Sequence, residues 1–259
     1  MSGPVGSFLG WALPQRRLPY PAAVALLAVL YFGSAKLGLL AAVAHGVVSS
    51  AWPPTGVALA ALLLAGVRYW PGIAIGALLL NATSGVSFLG AAGIAMGNTL
   101  EAVVGTLLLQ RVARFRPSLD RLQDVLALVL LAAILSTAVS ATVGVTSLLL
   151  SGSTPSTSVG RLWFVWWSGD AIGTLIVAPV FLTWLTTPRR REPLARAAEA
   201  LTLLLILVAL TSVLFLTRIS YVYAVFPFAI WAALRFGPRG AATATLLVSS
   251  LAVWYTLNG

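Results

Sequence analysis

Charge in this chain is confined to short linkers, and the stretches between them are apolar for a dozen to nearly thirty residues at a time. The apolar runs lie at about 20–44, 54–66, 70–82, 88–112, 122–150, 162–187, 197–217, 221–236 and 238–257. A spanning helix needs roughly 20 apolar residues, and most of the chain divides into such runs. Only 8% of residues are charged, against about 25% in soluble domains. The expected fold is all-α: a polytopic integral membrane bundle of eight to ten transmembrane segments, including short or broken helices.

The linkers sort by charge. QRR (15–17), Arg68, RVARFRPSLDR (111–121), RRREPLAR (189–196) and RFGPR (235–239) are basic. The alternate linkers HGVVSS (45–50), NATSGVS (81–87) and SGSTPSTSVGR (151–161) are almost free of charge, with Arg161 an exception and Arg218 in TRISY (217–221) a second. Basic linkers stay in the cytoplasm, so every second linker, beginning with the N-terminus, is expected there. Topology thus explains the net charge of +10, and no nucleic-acid partner is expected. The first run is too long for a signal-peptide core and is read as a retained span. The expected organisation is a cytoplasmic segment 1–18 and an integral membrane domain 19–259. Nine crossings that start inside would leave Gly259 outside. Either one segment is miscounted or the chain is cut from a longer protein, and the abrupt ending WYTLNG favours the cut.

Two sites, VRYWPG (67–72) and LRFGPRG (234–240), share an Arg-aromatic pair followed by Pro and Gly. They read as tight cytoplasmic turns between antiparallel helices, or as the trace of an internal duplication.

There is no cysteine and a single histidine, His45. Disulfides, thiol nucleophiles, and cysteine-based or histidine-rich metal sites are thereby excluded. His45 falls in an external linker and reads as a solvated loop residue. HExxH, GxxxxGK[ST] and GxSxG are all missing, so no catalytic residue, metal or cofactor is expected. What remains are ionisable and amide groups at membrane depth, which are costly and face the interior, a partner or water. Lys36, Asn98, Glu101 and Asp170 fall near the middle of their spans. Asn98 and Glu101 lie three apart on one helical face. Gly105 extends that face, and the Gly93/Gly97 pair permits close helix approach. Trp163, Trp166, Trp167 and Asp170 make one helical stripe. The tryptophans read first as an interfacial belt, or else as the lining of a route to a buried acid. One lysine against two acids leaves a charge unbalanced. Either a carboxyl is protonated or a ligand brings a cation.

The segment WPPTGVALAALLLAG (52–66) is too short to cross a bilayer. Pro53 and Pro54 suit an extended chain leading into the first turn of a half-length helix near Thr55. Irregular backbone at that depth must be buried in protein or line a cavity. The N-terminal amides of the helix, carrying partial positive charge, would then face a cavity approached by Glu101 and Asp170. The alternative is tight packing between longer neighbours. Arg68 to Gly72 would form its cytoplasmic hinge.

The blocks WPPTGVALAALLLAGVRYWPGIAIGALLLN (52–81), IAMGNTLEAVVGTLLLQR (94–111), LSTAVSATVGV (135–145), WWSGDAIGTLIVAPVFLTW (166–184) and FPFAIWAALRFGPRGAA (226–242) together resemble the membrane-associated sensor domain of the first type (MASE type one), over roughly residues 20–257. The resemblance implies a bacterial inner-membrane input module that precedes a cytoplasmic histidine kinase, diguanylate cyclase or phosphodiesterase. It marks Trp52, Pro53, Pro54, Thr55, Gly56, Asn98, Glu101, Gly169 and Asp170 as positions of a candidate sensing site. Lys36, Trp163 and Trp167 join the candidates from the residue argument alone. The expected partners are the lipid bilayer, a small-molecule ligand of unknown identity and a cytoplasmic kinase or cyclase module, with homodimer formation left open. Two rival readings stand beside sensing: a substrate-binding component or small secondary transporter, and a membrane anchor or dimerisation module without ligand.

Overall fold

The computed structural model of the chain describes residues 18–43, 51–152, 157, 159–186, 193–217 and 222–258; His45 and Arg218 lie outside them. Among the described residues all regular structure is helical. We name the helices α1 (Tyr20–Val43), α2 (Pro53–Ala65), α3 (Trp70–Ala82), α4 (Phe88–Val112), α5 (Leu122–Leu150), α6 (Val159–Thr186), α7 (Leu194–Leu216) and α8 (Phe226–Asn258). Of these, α1, α4, α5, α6 and α7 are each long and apolar enough to cross a bilayer. Helices α2 and α3 have 13 residues each, about 20 Å at 1.5 Å per residue, and neither crosses alone.

The two Arg-aromatic sites are both chain reversals. After α2, Gly66 adopts φ +112, ψ 151, a region open to glycine alone. One 3₁₀ turn, Val67–Tyr69, then leads into α3 with Pro71 in its first turn. Helix α8 breaks at Gly237 (φ 63, ψ −156), with Pro238 opening the second arm. A Cβ on Gly240 would run into the carbonyl of Ala232. Eight residues apart in a straight helix these groups would be about 12 Å apart, so the chain doubles back. With the two arms of α8 counted separately, the nine apolar runs of the sequence appear as nine helical stretches.

The described parts of the basic linkers gather at one end; QRR (15–17) and residues 189–192 lie outside the described residues. Tyr20 at the start of α1 donates its hydroxyl to the Arg68 carbonyl (3.1 Å). Leu63 and Leu64 at the end of α2 join one apolar cluster with Phe115, Leu119, Leu128 and Leu182. Arg239 Nε donates to the Thr183 carbonyl (3.1 Å), and Arg196 donates to the Arg235 carbonyl (3.0 Å). Arg235 also grips Glu199 through both carboxylate oxygens (2.8 and 2.9 Å). Between α4 and α5, Asp124 accepts from the Arg116 amide (3.0 Å) and from Arg121 Nε (2.7 Å), which closes the linker into a compact cap.

The body is apolar outside and polar inside. Val29, Leu37, Phe88, Leu201 and Leu205 are exposed, whereas Thr55, Asn98, Glu101, Ser140, Asp170 and Thr174 are buried. Lipid tails are as apolar as leucine, so helices associate through close packing and polar contacts. Helix α4 supplies the close packing: Gly93, Gly97 and Gly105, four and then eight residues apart, lie against Ser147, Val143 and Ser136 of α5, which runs antiparallel. Helix α2 is wedged on α6 in the same way. A Cβ on Gly56 would lie 2.7 Å from the Gly173 carbonyl, and one on Gly173 would collide with the Trp52 carbonyl. Tyr31 and Leu27 of α1, Ala58 and Leu62 of α2, Ile73 and Ala77 of α3, and Ala95 and Ala102 of α4 close a second core. Helix α7 packs on α8 through Leu203, Leu207, Ala232 and Ala244.

Because backbone atoms cannot yield as a side-chain tip can, Gly56→Ala and Gly173→Ala are expected to destabilise the fold by about 1–3 kcal/mol each. Gly33→Ala, whose Cβ meets nothing within 4 Å, is expected to be neutral. Melting of the detergent-solubilised chain, followed by size-exclusion chromatography, checks this. Equal behaviour of the three variants would contradict the wedge.

Candidate functional site

The start of α2 lies inside the bundle. Trp52 (φ −107, ψ 89) is extended, and its N–H donates to the Gly169 carbonyl of α6 (2.9 Å). This bond satisfies backbone that could not be left bare at membrane depth. The helix begins at Pro53, two residues earlier than the sequence suggests, and both prolines fall in its first turn. Prolines have no N–H to offer, and the Thr55 amide bonds back to the Trp52 carbonyl (3.3 Å). The amide-lined helix end expected from the sequence is therefore largely closed. Instead the Thr55 side chain carries the contact, donating Oγ1 to Asp170 Oδ1 (3.1 Å).

Four further helices converge there. Asn98 of α4 donates Nδ2 to the Tyr31 hydroxyl of α1 (2.9 Å) and accepts from Ser140 Oγ of α5 at its Oδ1 (2.8 Å). Ser140 in turn accepts from Trp166 Nε1 of α6 (3.2 Å). The Trp52 side chain lies within hydrogen-bonding reach of the Tyr31 hydroxyl. Glu101, one turn along α4 from Asn98, meets Asp170 carboxyl to carboxyl, with Ser140 beside both. Their exposure is 3% and 1%, and among the described residues no donor bonds to Glu101 Oε1 or Asp170 Oδ2. Every neighbour named is a neutral donor. Two ionised carboxylates cannot share so dry a site, so a proton or a bound cation has to accompany them.

Of the residues singled out in the sequence, Trp52, Thr55, Asn98, Glu101 and Asp170 come together, with Pro53, Pro54, Gly56 and Gly169 shaping the backbone around them. Lys36 does not join them. Its Nζ lies 5.3 Å from the centroid of the Phe32 ring. Five residues beyond inward-facing Tyr31, it is turned about 140° around α1. Trp163 and Trp167 stack on each other (5.9 Å) and are half-buried between α6 and α5. Their indoles donate to Thr142 Oγ1 (3.1 Å) and to the Ile134 carbonyl (2.9 Å). They staple the two helices together, and of these three tryptophans Trp166 is the one that reaches the polar centre, beside Asp170. No group of three His, Cys, Asp or Glu suited to a metal occurs among the described residues.

Residues 23–259 match the MASE1 family. The chain belongs to the MASE1 family. MASE1 is a membrane sensory domain. In an alignment 198 residues long that covers 71% of this MASE1 chain, it is 30% identical to the probable diguanylate cyclase DgcE of Escherichia coli (strain K12), and it spans 17% of that protein. No solved structure matches it.

Two members of the MASE1 polar centre escaped the sequence. Tyr31 looks like any aromatic in an apolar run. Ser140 sits among Ser136, Thr137, Thr142 and Ser147, all of which bond to the carbonyl four residues back on their own helix (2.6–2.7 Å). That is the ordinary fate of a helical hydroxyl, whereas Ser140 donates across to α4. The one available signal was its i, i+4 spacing from Ser136, on the side of α5 that faces the α4 glycines.

Asn98→Leu strands the Tyr31 and Ser140 groups that it now satisfies and is expected to cost about 1–2 kcal/mol. Thr142→Val, which frees only the half-buried Trp163, is expected to cost a few tenths. Lys36→Met should leave the melting temperature unchanged. Thermal melting in detergent ranks the three, and a large loss with Lys36→Met would place that lysine in the network after all.

Proposed function

We propose that the chain is the sensory input domain of a bacterial signal-transduction protein, held in the inner membrane with its basic end in the cytoplasm, and that its stimulus acts on the Glu101–Asp170 pair. The observation that carries this reading is the contact of two buried carboxyls where five helices meet, with no cationic side chain bonded to them among the described residues. Sensory class follows from the family. The name of the DgcE relative supports a cytoplasmic cyclic-di-GMP enzyme as the receiver, with a histidine kinase the other output known from the resemblance.

A stimulus shifts a two-state equilibrium only by binding the two states differently. Here a small cationic molecule, or a change of membrane state that moves α4 against α6, alters the balance between the facing carboxyls. Helix α6 is suited to carry the change. Asp170 and Gly169 meet α2 at one level, and 13 residues further on, about 20 Å, Thr183 and Trp184 meet α8. There Arg239 bonds the Thr183 carbonyl and lies over the Trp184 ring (5.4 Å), while Trp184 Nε1 donates to Thr243 (3.0 Å). Movement at Asp170 thus reaches the final helix directly.

In the full-length protein, Glu101→Gln with Asp170→Asn is expected to lock the output, read as cyclic-di-GMP level or kinase autophosphorylation, and to abolish its response. A thermal-shift screen of the purified chain against amines and other metabolites is expected to yield a hit that the double variant loses. Full signalling by the double variant, together with no hit, would sink the reading.

A further inference from the structure

A groove of about 500 Å³ opens on the apolar outer side between α1 and α3, lined by none of the residues of the polar centre. Pro21, Ala25, Ala28 and Val29 line it from α1, and Pro71 and Ile75 from α3. Its existence follows from the close contact behind it. Gly72 and Gly76 bring α3 against the carbonyls of Val24 and Ala28, where an added Cβ would lie 2.7 and 2.8 Å away. Small alanines leave the floor open, and the two prolines stiffen its walls at one end.

The groove has direction. It runs from Tyr20 to Val29, nine residues of helix or about 13 Å, close to half of the roughly 30 Å hydrocarbon thickness of a bilayer. At its Tyr20 end is the basic face of the bundle. Tyr20 stacks on Tyr69 (ring centroids 5.5 Å apart) and donates to the Arg68 carbonyl. The Arg68 guanidinium lies over the Tyr69 ring (4.8 Å) and donates Nη2 to its hydroxyl (2.9 Å). Arg68 is exposed, and among the described residues no carboxylate pairs with it. The result is a leaflet-deep apolar slot that ends at a positioned cation flanked by two tyrosines. Aromatic residues of this kind settle at headgroup level, and arginine holds phosphate oxygens in its planar fork.

We propose that this groove binds one anionic phospholipid of the leaflet at the basic face, with an acyl chain along α1 and α3 and the phosphate at Arg68. A neutral, zwitterionic lipid would gain the slot but little from the cation. A basic residue near an anionic membrane surface contributes enough for about a fivefold preference. The binding rests on residues separate from Glu101 and Asp170 and holds whatever the stimulus is.

The test is lipid competition followed by native mass spectrometry. The chain is purified in detergent and mixed with equal amounts of phosphatidylglycerol and phosphatidylcholine of the same chains. The wild type is expected to retain phosphatidylglycerol about fivefold over phosphatidylcholine. Arg68→Gln should erase that preference while leaving a lipid adduct. Ala25→Trp and, from the other wall, Ile75→Trp should remove the adduct itself; both positions are exposed, so the fold is expected to survive, as an unchanged melting temperature would show. Equal retention of the two lipids by the wild type would overturn the proposal. So would a preference that falls with Arg68→Gln yet persists in both groove-filling variants, which is the mark of surface charge without a slot.

Discussion

The arrangement of the polar centre depends on one backbone approach, that of the extended residue Trp52 to the carbonyl of Gly169. A helix that begins part-way through a membrane has to give its entering strand a hydrogen-bond partner, since no water is at hand. Helix α6 provides it by offering the Gly169 carbonyl to the Trp52 amide and by having Gly173 where any side chain would collide with the Trp52 backbone. Once Trp52 is seated, α2 can start only where it does, and Thr55 then faces Asp170. The indole of Trp52 is carried at the same time to Tyr31, and α1 is drawn in against Pro53 at Gly38.

A second constraint sets how close the remaining helices come. The stripe of α4 that faces α5 steps in fours through Gly93, Gly97, Glu101 and Gly105. Three of the four positions permit near contact of the helices, and the fourth places a carboxyl in the seam. The glycines explain why that carboxyl is so dry: they bring α5 close on both sides of it along α4. Most hydroxyls of α5 close on their own helix, so the few that reach across, Ser140 above all, define the centre.

Much of the fold was legible because membrane physics leaves few options. Apolar length gave the helices, glycine with proline marked the reversals at 66–71 and 237–238, and linker charge sorted the ends. The candidate site was legible where a residue type is out of place at depth, as with Asn98, Glu101, Asp170 and the tandem prolines. It was not legible where the type is ordinary and only its partner is special, as with Tyr31 and Ser140. Lys36 shows the converse: a conspicuous residue in mid-run, turned away from the acids because five residues is a poor helical repeat from Tyr31. The helix start was misplaced by two residues because extended Trp52 could already serve as the cap.

The tandem prolines also set a sign. The open end of a helix normally offers four amides and a partial positive charge to an anion. At α2 the residues in those places are Trp52, Pro53, Pro54 and Thr55; the prolines have no amide, and those of Trp52 and Thr55 are already taken by the Gly169 and Trp52 carbonyls. A carboxylate or phosphate arriving here would find neither of those amides free and two acids facing it. As the proposed stimulus site, the centre is thus unsuited to anions and suited to whatever carries a proton or a positive group.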